Sequence, residues 1–337
     1  MMPSKEWKET VPAGEEAELE AQAKVLAEMQ ARRGGGDRGL HAKGHAGLLA
    51  RVTVDEGLAD YARQGLFARP GTYKAYVRFS NGGPDRKPDR IPDVRGMAVK
   101  ILGVEGKKVL GDAATQDFLA IDAVKTPVSS PADFVAIVQA VESGKPLRGL
   151  IKAFGLGRTL VIGFRAATGI KGNPRDLLDV TFNTVLPVAF GPYAARVAFA
   201  PIHAPSPPAG KGAGKDYVGP RIAARGAREV LRWEIRAQFF TGPETPIEDP
   251  TINWSSPFVR LGEIETVPVD PDGDKGKALA AFIEKASFDP WHALVEHRPL
   301  GAMMRARKHA YFHSTKARAA APEPDGSEWD GFLPAST

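Results

Sequence analysis

Arg38-Gly39-Leu40-His41-Ala42-Lys43-Gly44 leads shortly into Leu49-Ala50-Arg51-Val52-Thr53-Val54, and this passage decides the architecture. Its second half alternates in the period of a strand with one buried face. Its first half sets an imidazole between Gly39 and Gly44, where small neighbours let a flat molecule approach the backbone. An unligated histidine in such a place can take a proton from one atom and return it to its neighbour. A lone histidine near a strand start is more often a satisfied structural residue, and His45 is read that way.

Strand-like runs of the same kind recur at about 45–54, 72–81, 96–102, 116–121, 179–186, 194–202, 230–240 and 262–269, separated by turn-rich links such as Asn81-Gly82-Gly83-Pro84. Eight strands allow a closed antiparallel barrel. Helical spacing of apolar residues marks 14–33, 131–143, 275–285 and 299–318. The class is therefore α+β, an eight-stranded antiparallel β-barrel with flanking helices. It divides into an N-terminal helical arm (1–35), the barrel with inserted helices (36–270), C-terminal helices (271–318) and a Pro-rich acidic tail (319–337) expected to be flexible.

Composition bounds the function. Apolar residues make up 43% and charged residues 25%, ordinary for a globular chain. The formal charge of +5 is mild and spread out, so nucleic acid is not an expected partner. The absence of cysteine excludes a disulfide framework, a zinc ribbon, an iron–sulfur cluster and thiolate-ligated haem. The opening Met-Met-Pro-Ser-Lys-Glu-Trp has no apolar core followed by a cleavage site, which makes a cytoplasmic location the expectation.

Near the C-terminus, Arg307-Lys308-His309-Ala310-Tyr311 is followed by Arg318. At 100° per residue, Tyr311 and Arg318 fall within roughly 40° of Arg307 on a helix, so the three share one face. A guanidinium beside a phenol favours phenolate, and tyrosinate is a hard anionic ligand for ferric iron. On these residues alone, a basic solvated face with one tyrosine packed beneath is the commoner meaning.

Two further stretches, Val77-Arg78-Phe79-Ser80-Asn81-Gly82 and Asp93-Val94-Arg95-Gly96-Met97-Ala98-Val99-Lys100, complete an ordered set. The set resembles the haem catalases, which carry Arg-x-x-His-Ala-Lys-Gly, Arg-Phe-Ser, Arg-Gly-Phe-Ala-x-Lys and a proximal Arg-x-x-x-Tyr in that order. The resemblance covers residues 38–318 and is closest to shortened bacterial catalase-like proteins. It implies a catalase-like barrel holding haem b, with Tyr311 as the axial ligand to iron and Arg307 keeping it ionised. It implies His41 as the acid–base group, with Ser80 holding its tautomer. Arg38, Arg78 and Arg318 match the family's propionate-binding arginines, which suits the two-pronged pairing of arginine with carboxylate. Phe118 is implied as cofactor-binding wall through the match of Thr115–Asp122 to a family strand, with Val52, Phe79 and Met304 as further wall. The same match puts Ala113 where catalases have a peroxide-holding asparagine and Thr126 near the usual distal phenylalanine.

The implied function is a haem-dependent peroxidase reducing hydrogen peroxide or organic hydroperoxides with a small organic electron donor, and with weak catalase activity. A fatty-acid hydroperoxide isomerase and a non-catalytic haem or lipid carrier are the alternatives. The physiological peroxide, the donor and the oligomeric state, homo-oligomers included, stay open.

Other patterns point elsewhere. Asp270-Pro271-Asp272-Gly273-Asp274 lacks a calcium-loop ligand pattern and reads as a turn. His309 and His313 sit at i, i+4 without a third ligand at a suitable local spacing. From Lys145 to Arg175 there are seven basic residues and no acidic one among many apolar ones. Helices packed on the barrel with their lysines in solvent are the expectation there, and a face for anionic lipid is the alternative.

Overall fold

The computed structural model describes residues 2–34, 36–169, 176–207, 210 and 213–333. Helix α1 (Glu15–Arg32) precedes an antiparallel run of β1 (Gly44–Val54), β2 (Gly71–Asn81), β3 (Arg95–Leu102) and β4 (Thr115–Ile121). Helices α2 (Pro131–Glu142) and α3 (Pro146–Gly169) follow. Then come β5 (Phe182–Asn183), β6 (Val188–Phe190), β7 (Tyr193–Pro201), α4 (Val218–Gly226), β8 (Arg232–Phe239) and β9 (Phe258–Val267). The chain ends in α5 (Asp274–Lys285), α6 (Ala302–Ala317) and α7 (Ser327–Gly331).

The strands run β5-β4-β3-β2-β1-β9-β8-β7-β6, and a β5–β7 pairing closes the ring. β5 bridges Ile121 of β4 to Ala198 and Phe199 of β7. β6 then pairs with the first residues of the same β7, so β5 and β6 share one edge in succession and the barrel has eight positions. The expected closed eight-stranded barrel is the architecture found. Between the two short strands Val185 has φ +58°, a conformation that a β-branched residue rarely adopts.

Alternation sorts the side chains. Val52, Val77, Phe79, Val99 and Phe118 point inward to meet Phe199, Trp233 and Ile235. The residues between them point outward, where Leu49 and Tyr76 pack on Leu279 and Ile283 of α5 and on Trp329 of α7. Gly47 permits that approach, since a Cβ there would lie 2.7 Å from Ile283 Cδ1. The N-terminal arm is tied down at Arg305, which pairs with Glu9, Glu15 and Glu248 at 2.8, 2.6 and 3.2 Å.

Two expectations are corrected. The tail from Ala319, expected to be loose, is packed as far as Leu333, and residues 334–337 lie outside the described residues. A buried cation draws it in, because Lys100 pairs with Asp117 at 2.8 Å and also takes Glu323 from the tail. Trp329 is 1% exposed and donates to the Ala75 carbonyl at 3.1 Å. Equally, α3 is not buried against the barrel. It packs on α2, where Gly149 sits so close that a Cβ would lie 2.7 Å from Ala140 Cβ, and most of its length is exposed. Residues 170–175 of that basic segment lie outside the described residues.

Trp329→Ala should cost about 3–5 kcal/mol, the usual range for truncating a buried aromatic. Denaturant unfolding measures it, and a cost below about 1 kcal/mol would show that the tail is not part of the cooperative fold.

Candidate active site

A cavity of about 300 Å³ lies on the outer face of β2-β3-β4, beneath α1, α2 and α6. Strand register builds its floor in two rows, Arg78 beside Ala98 beside Leu119, and Ser80 beside Gly96 beside Ile121. All six residues line the cavity, and Gly96 and Ala98 keep its centre low. Helix α6 presents Met303, Arg307, Ala310, Tyr311 and Ser314 at helical spacing on one face, and its C-cap residue Arg318 continues that side. Leu19, Leu26 and Gln30 of α1, with Phe134, Val135 and Val138 of α2, complete the wall.

His41 enters this cavity on a left-handed turn with φ +54°. Its N–H donates to the Gly82 carbonyl at 3.0 Å, and its own carbonyl accepts from Arg78 Nη2 at 3.1 Å. The ring lies with Nδ1 at 2.9 Å from Ser80 Oγ and packs over Gly96, where a Cβ would come within 2.8 Å of it. Burial, with the charges of Arg78, Arg307 and Arg38, holds the His41 pKa down at about 3. The imidazole is therefore neutral across the physiological range.

Beside it three guanidiniums gather around one carboxylate. Arg78 forks onto Glu284 of α5, Nε to Oε2 at 3.1 Å and Nη2 to Oε1 at 3.2 Å, while Arg38 Nη1 donates to Oε1 at 2.8 Å. Arg38 and Arg318 also donate to the Ala286 carbonyl at 2.8 and 2.9 Å. Burial and the neighbouring cations lower the Arg38 pKa to about 9. Glu284 is the only carboxylate in this knot among the described residues, which leaves two positive charges in excess. Gly44 is needed at its centre, since a Cβ there would lie 2.6 Å from Glu284 Oε2.

On the α6 side, Arg307 Nη2 donates to the Tyr311 hydroxyl at 2.8 Å, with the guanidinium 5.1 Å from the ring centroid. The shared helix face thus places the tyrosine and its cation in contact. These contacts fit a haem b. A tyrosine oxygen with a bonded guanidinium suits ferric iron, two surplus cations suit two propionates, and the low floor of Gly96 and Ala98 suits a planar ring.

His41, Ser80, Arg38, Arg78, Arg307, Tyr311 and Arg318 all line the one cavity. Phe118 does not. It alternates with Leu119 and so faces the barrel interior, where it packs near Phe67 and His297 at ring centroid distances of 6.4 and 6.0 Å. Val52 and Phe79 are interior for the same reason, and Met304 is one residue off the cavity face of α6 that Met303 occupies.

The reading of Ala113 as a distal residue is also corrected. Ala113 precedes the Thr115 end of β4, which pairs with Leu102, whereas the cavity meets the Ile121 end, about 20 Å along the strand. Thr126, beyond that nearer end, does line the cavity. Sequence reasoning missed Glu284, which belongs to no motif, and the floor role of Gly96, whose only signal was a glycine inside a strand. The remaining motif residues are structural. Lys43 pairs with buried Asp89 at 2.6 Å, His45 Nε2 meets Asn81 Oδ1 at 2.6 Å, and His309 and His313 each hold Glu20 at 3.0 Å.

No family model matches the chain. It is 27% identical over 279 residues to a catalase-related peroxidase of Mycolicibacterium paratuberculosis (strain ATCC BAA-968 / K-10), covering 73% of this chain and 79% of that one. It is 41% identical over 93 residues to catalase C of Rhizobium meliloti (strain 1021), covering 27% of this chain and 13% of that one. A fungal catalase superposes with a TM-score of 0.66 at 17% identity, over 87% of this chain and 60% of that one. The chain is thus similar in sequence to a catalase-related peroxidase and to part of a catalase, and it shares the fold of solved catalases. It spans about 60% of the length of that solved catalase.

The pKa of His41 fixes a pH dependence. A folded value near 3 against 6.5 for the free group means that the unfolded chain takes up the proton first. The contribution of His41 to stability is whole above about pH 6.5 and is lost as pH falls toward about 3. Relative to His41→Gln, the protein should lose about 1.4 kcal/mol per pH unit between about pH 6 and 4. Urea unfolding of both at several pH values checks this, and parallel curves would refute it.

Proposed function

We propose that this chain is a haem-dependent peroxidase that consumes hydrogen peroxide or an organic hydroperoxide. The observation that carries the reading is the placement of a neutral, serine-held imidazole and an arginine-paired tyrosine in the walls of one cavity. Support comes also from the similarity to a protein named catalase-related peroxidase. Tyr311 is the residue to hold haem b at its iron, and Arg38, Arg78 and Arg318 are those to hold its carboxylates.

When bound, the haem supplies the redox chemistry that splits a peroxide O–O bond. The chain's own residues handle the proton. With Nδ1 donating to Ser80 Oγ, His41 Nε2 is left as an uncharged base. It can take the proton from one peroxide oxygen and deliver it to the departing one. Burial, with the charges of Arg78, Arg307 and Arg38, keeps it from resting in the protonated state, and Arg307 Nη2 donates to the Tyr311 oxygen at 2.8 Å.

Peroxidase turnover is preferred over efficient dismutation because the β4 wall of the cavity is Leu119, Ala120 and Ile121, none of which can donate a side-chain hydrogen bond. The Thr126 hydroxyl is engaged with the Val128 carbonyl at 2.7 Å. Dismutation has to position a second peroxide as reductant, whereas a phenolic donor needs only access to the cofactor edge. The apolar cavity also admits an acyl chain, which keeps rearrangement of a lipid hydroperoxide as the second reading.

Two measurements test these assignments. Tyr311→Phe should lose most bound haem or shift its absorption spectrum, and His41→Ala should keep the spectrum but lose about 10² to 10⁴ in peroxide turnover. An unchanged Tyr311→Phe spectrum would remove the proposed ligand. Separately, with haem bound, oxidation of a phenol by cumene hydroperoxide should outrun oxygen evolution from hydrogen peroxide. Vigorous oxygen evolution would overturn the peroxidase reading, and a rearranged lipid product formed without donor would favour the isomerase.

A further inference from the structure

Helix α3 carries an exposed apolar surface that the barrel does not use. Leu147, Ile151, Leu156, Leu160, Val161 and Phe164 are between 38% and 69% exposed. The helix is broken at Gly155, φ +73°, into two amphipathic pieces. In the second piece the offsets of 4, 5 and 8 from Leu156 keep the four apolar residues within an arc of about 140°. Thr159 and Ile162 point the other way and are buried. Contiguous exposed apolar surface of this kind marks an interaction site rather than ordinary scatter.

Charge identifies the partner. Residues 145–169 contain Lys145, Arg148, Lys152, Arg158 and Arg165 and no acidic residue. Arg158 is engaged with Asp133 of α2 at 2.5 Å. The other four have no carboxylate partner among the described residues. A second copy docking here by a twofold contact would set this basic face against itself, which like charges oppose. An anionic lipid surface answers both features at once, apolar side chains entering the acyl boundary and cations meeting headgroups. No helix among the described residues is long and apolar enough to cross a membrane.

We infer that α3 is an interfacial anchor that docks the protein on anionic membranes through its Leu156–Phe164 face and the flanking Lys and Arg side chains. The inference is independent of the peroxidase reading. Its placement is nonetheless pointed, because α3 packs on α2 and α2 forms part of the wall of the large cavity.

The chain has no cysteine, so Leu160→Cys carries a single environment-sensitive label at the centre of the face. With vesicles of phosphatidylcholine containing about a third phosphatidylglycerol at low salt, its emission should shift to the blue and the protein should sediment with the lipid. Pure phosphatidylcholine should give neither. Replacing Arg148, Lys152 and Arg165 by Gln, or Leu156 and Phe164 by Ser, should weaken binding about tenfold or more. All five are solvent-facing or only partly buried, so the fold should survive. The inference is overturned by absence of lipid binding, by binding that neither variant weakens, or by a concentration-dependent blue shift without lipid that reports a second copy on this face.

Discussion

The site depends on a shared carboxylate. Glu284, at the end of α5, accepts from Arg38 in the segment leading into β1 and from Arg78 on β2, while Arg38 and Arg318 hold the carbonyl of Ala286 just beyond. Four parts of the chain, more than two hundred residues apart at their extremes, are fastened at this point. Removing Glu284 would leave three buried or half-buried cations facing one another, and unpaired buried charge is among the costliest defects a fold can carry. The knot also sets the field in which His41 sits, so architecture and electrostatics have a common source.

Much of the site was legible in the sequence because its parts are local. His41 and Arg38 belong to one seven-residue stretch, Arg78 and Ser80 alternate on one strand, and Arg307, Tyr311 and Arg318 share a helical face. Spacing within one element determines direction, and direction is what a pattern of residues can state. Most strands of the barrel were readable for the same reason, though the run read at 179–186 holds only the two-residue β5 before the turn at Val185, and β6 (Val188–Phe190) falls outside every strand read from the sequence.

What the sequence did not show is what depends on which side of an element another element covers. Phe118 and Leu119 are both apolar neighbours, and only the docking of α1, α2 and α6 on the outer face makes Leu119 the cavity residue. Ala113 was assigned by spacing from Thr115, but spacing does not say which end of β4 approaches His41. The same limit applies to α3, whose apolar arc looks in sequence like any core-facing stripe, and to the tail, whose acidic Glu323 has no visible partner until Lys100 is found buried across from it.

The left-handed backbone at His41 has a further meaning. The residue is held through its amide, its carbonyl, its ring nitrogen and the glycine beneath the ring, so its strained conformation is fully determined before any ligand arrives. A base that must search for its orientation spends part of each turnover reorganising. In the proton-transfer role proposed for it, His41 is preorganised: the conformational work is done once, when the barrel closes, and the imidazole presents the same pose to every incoming molecule.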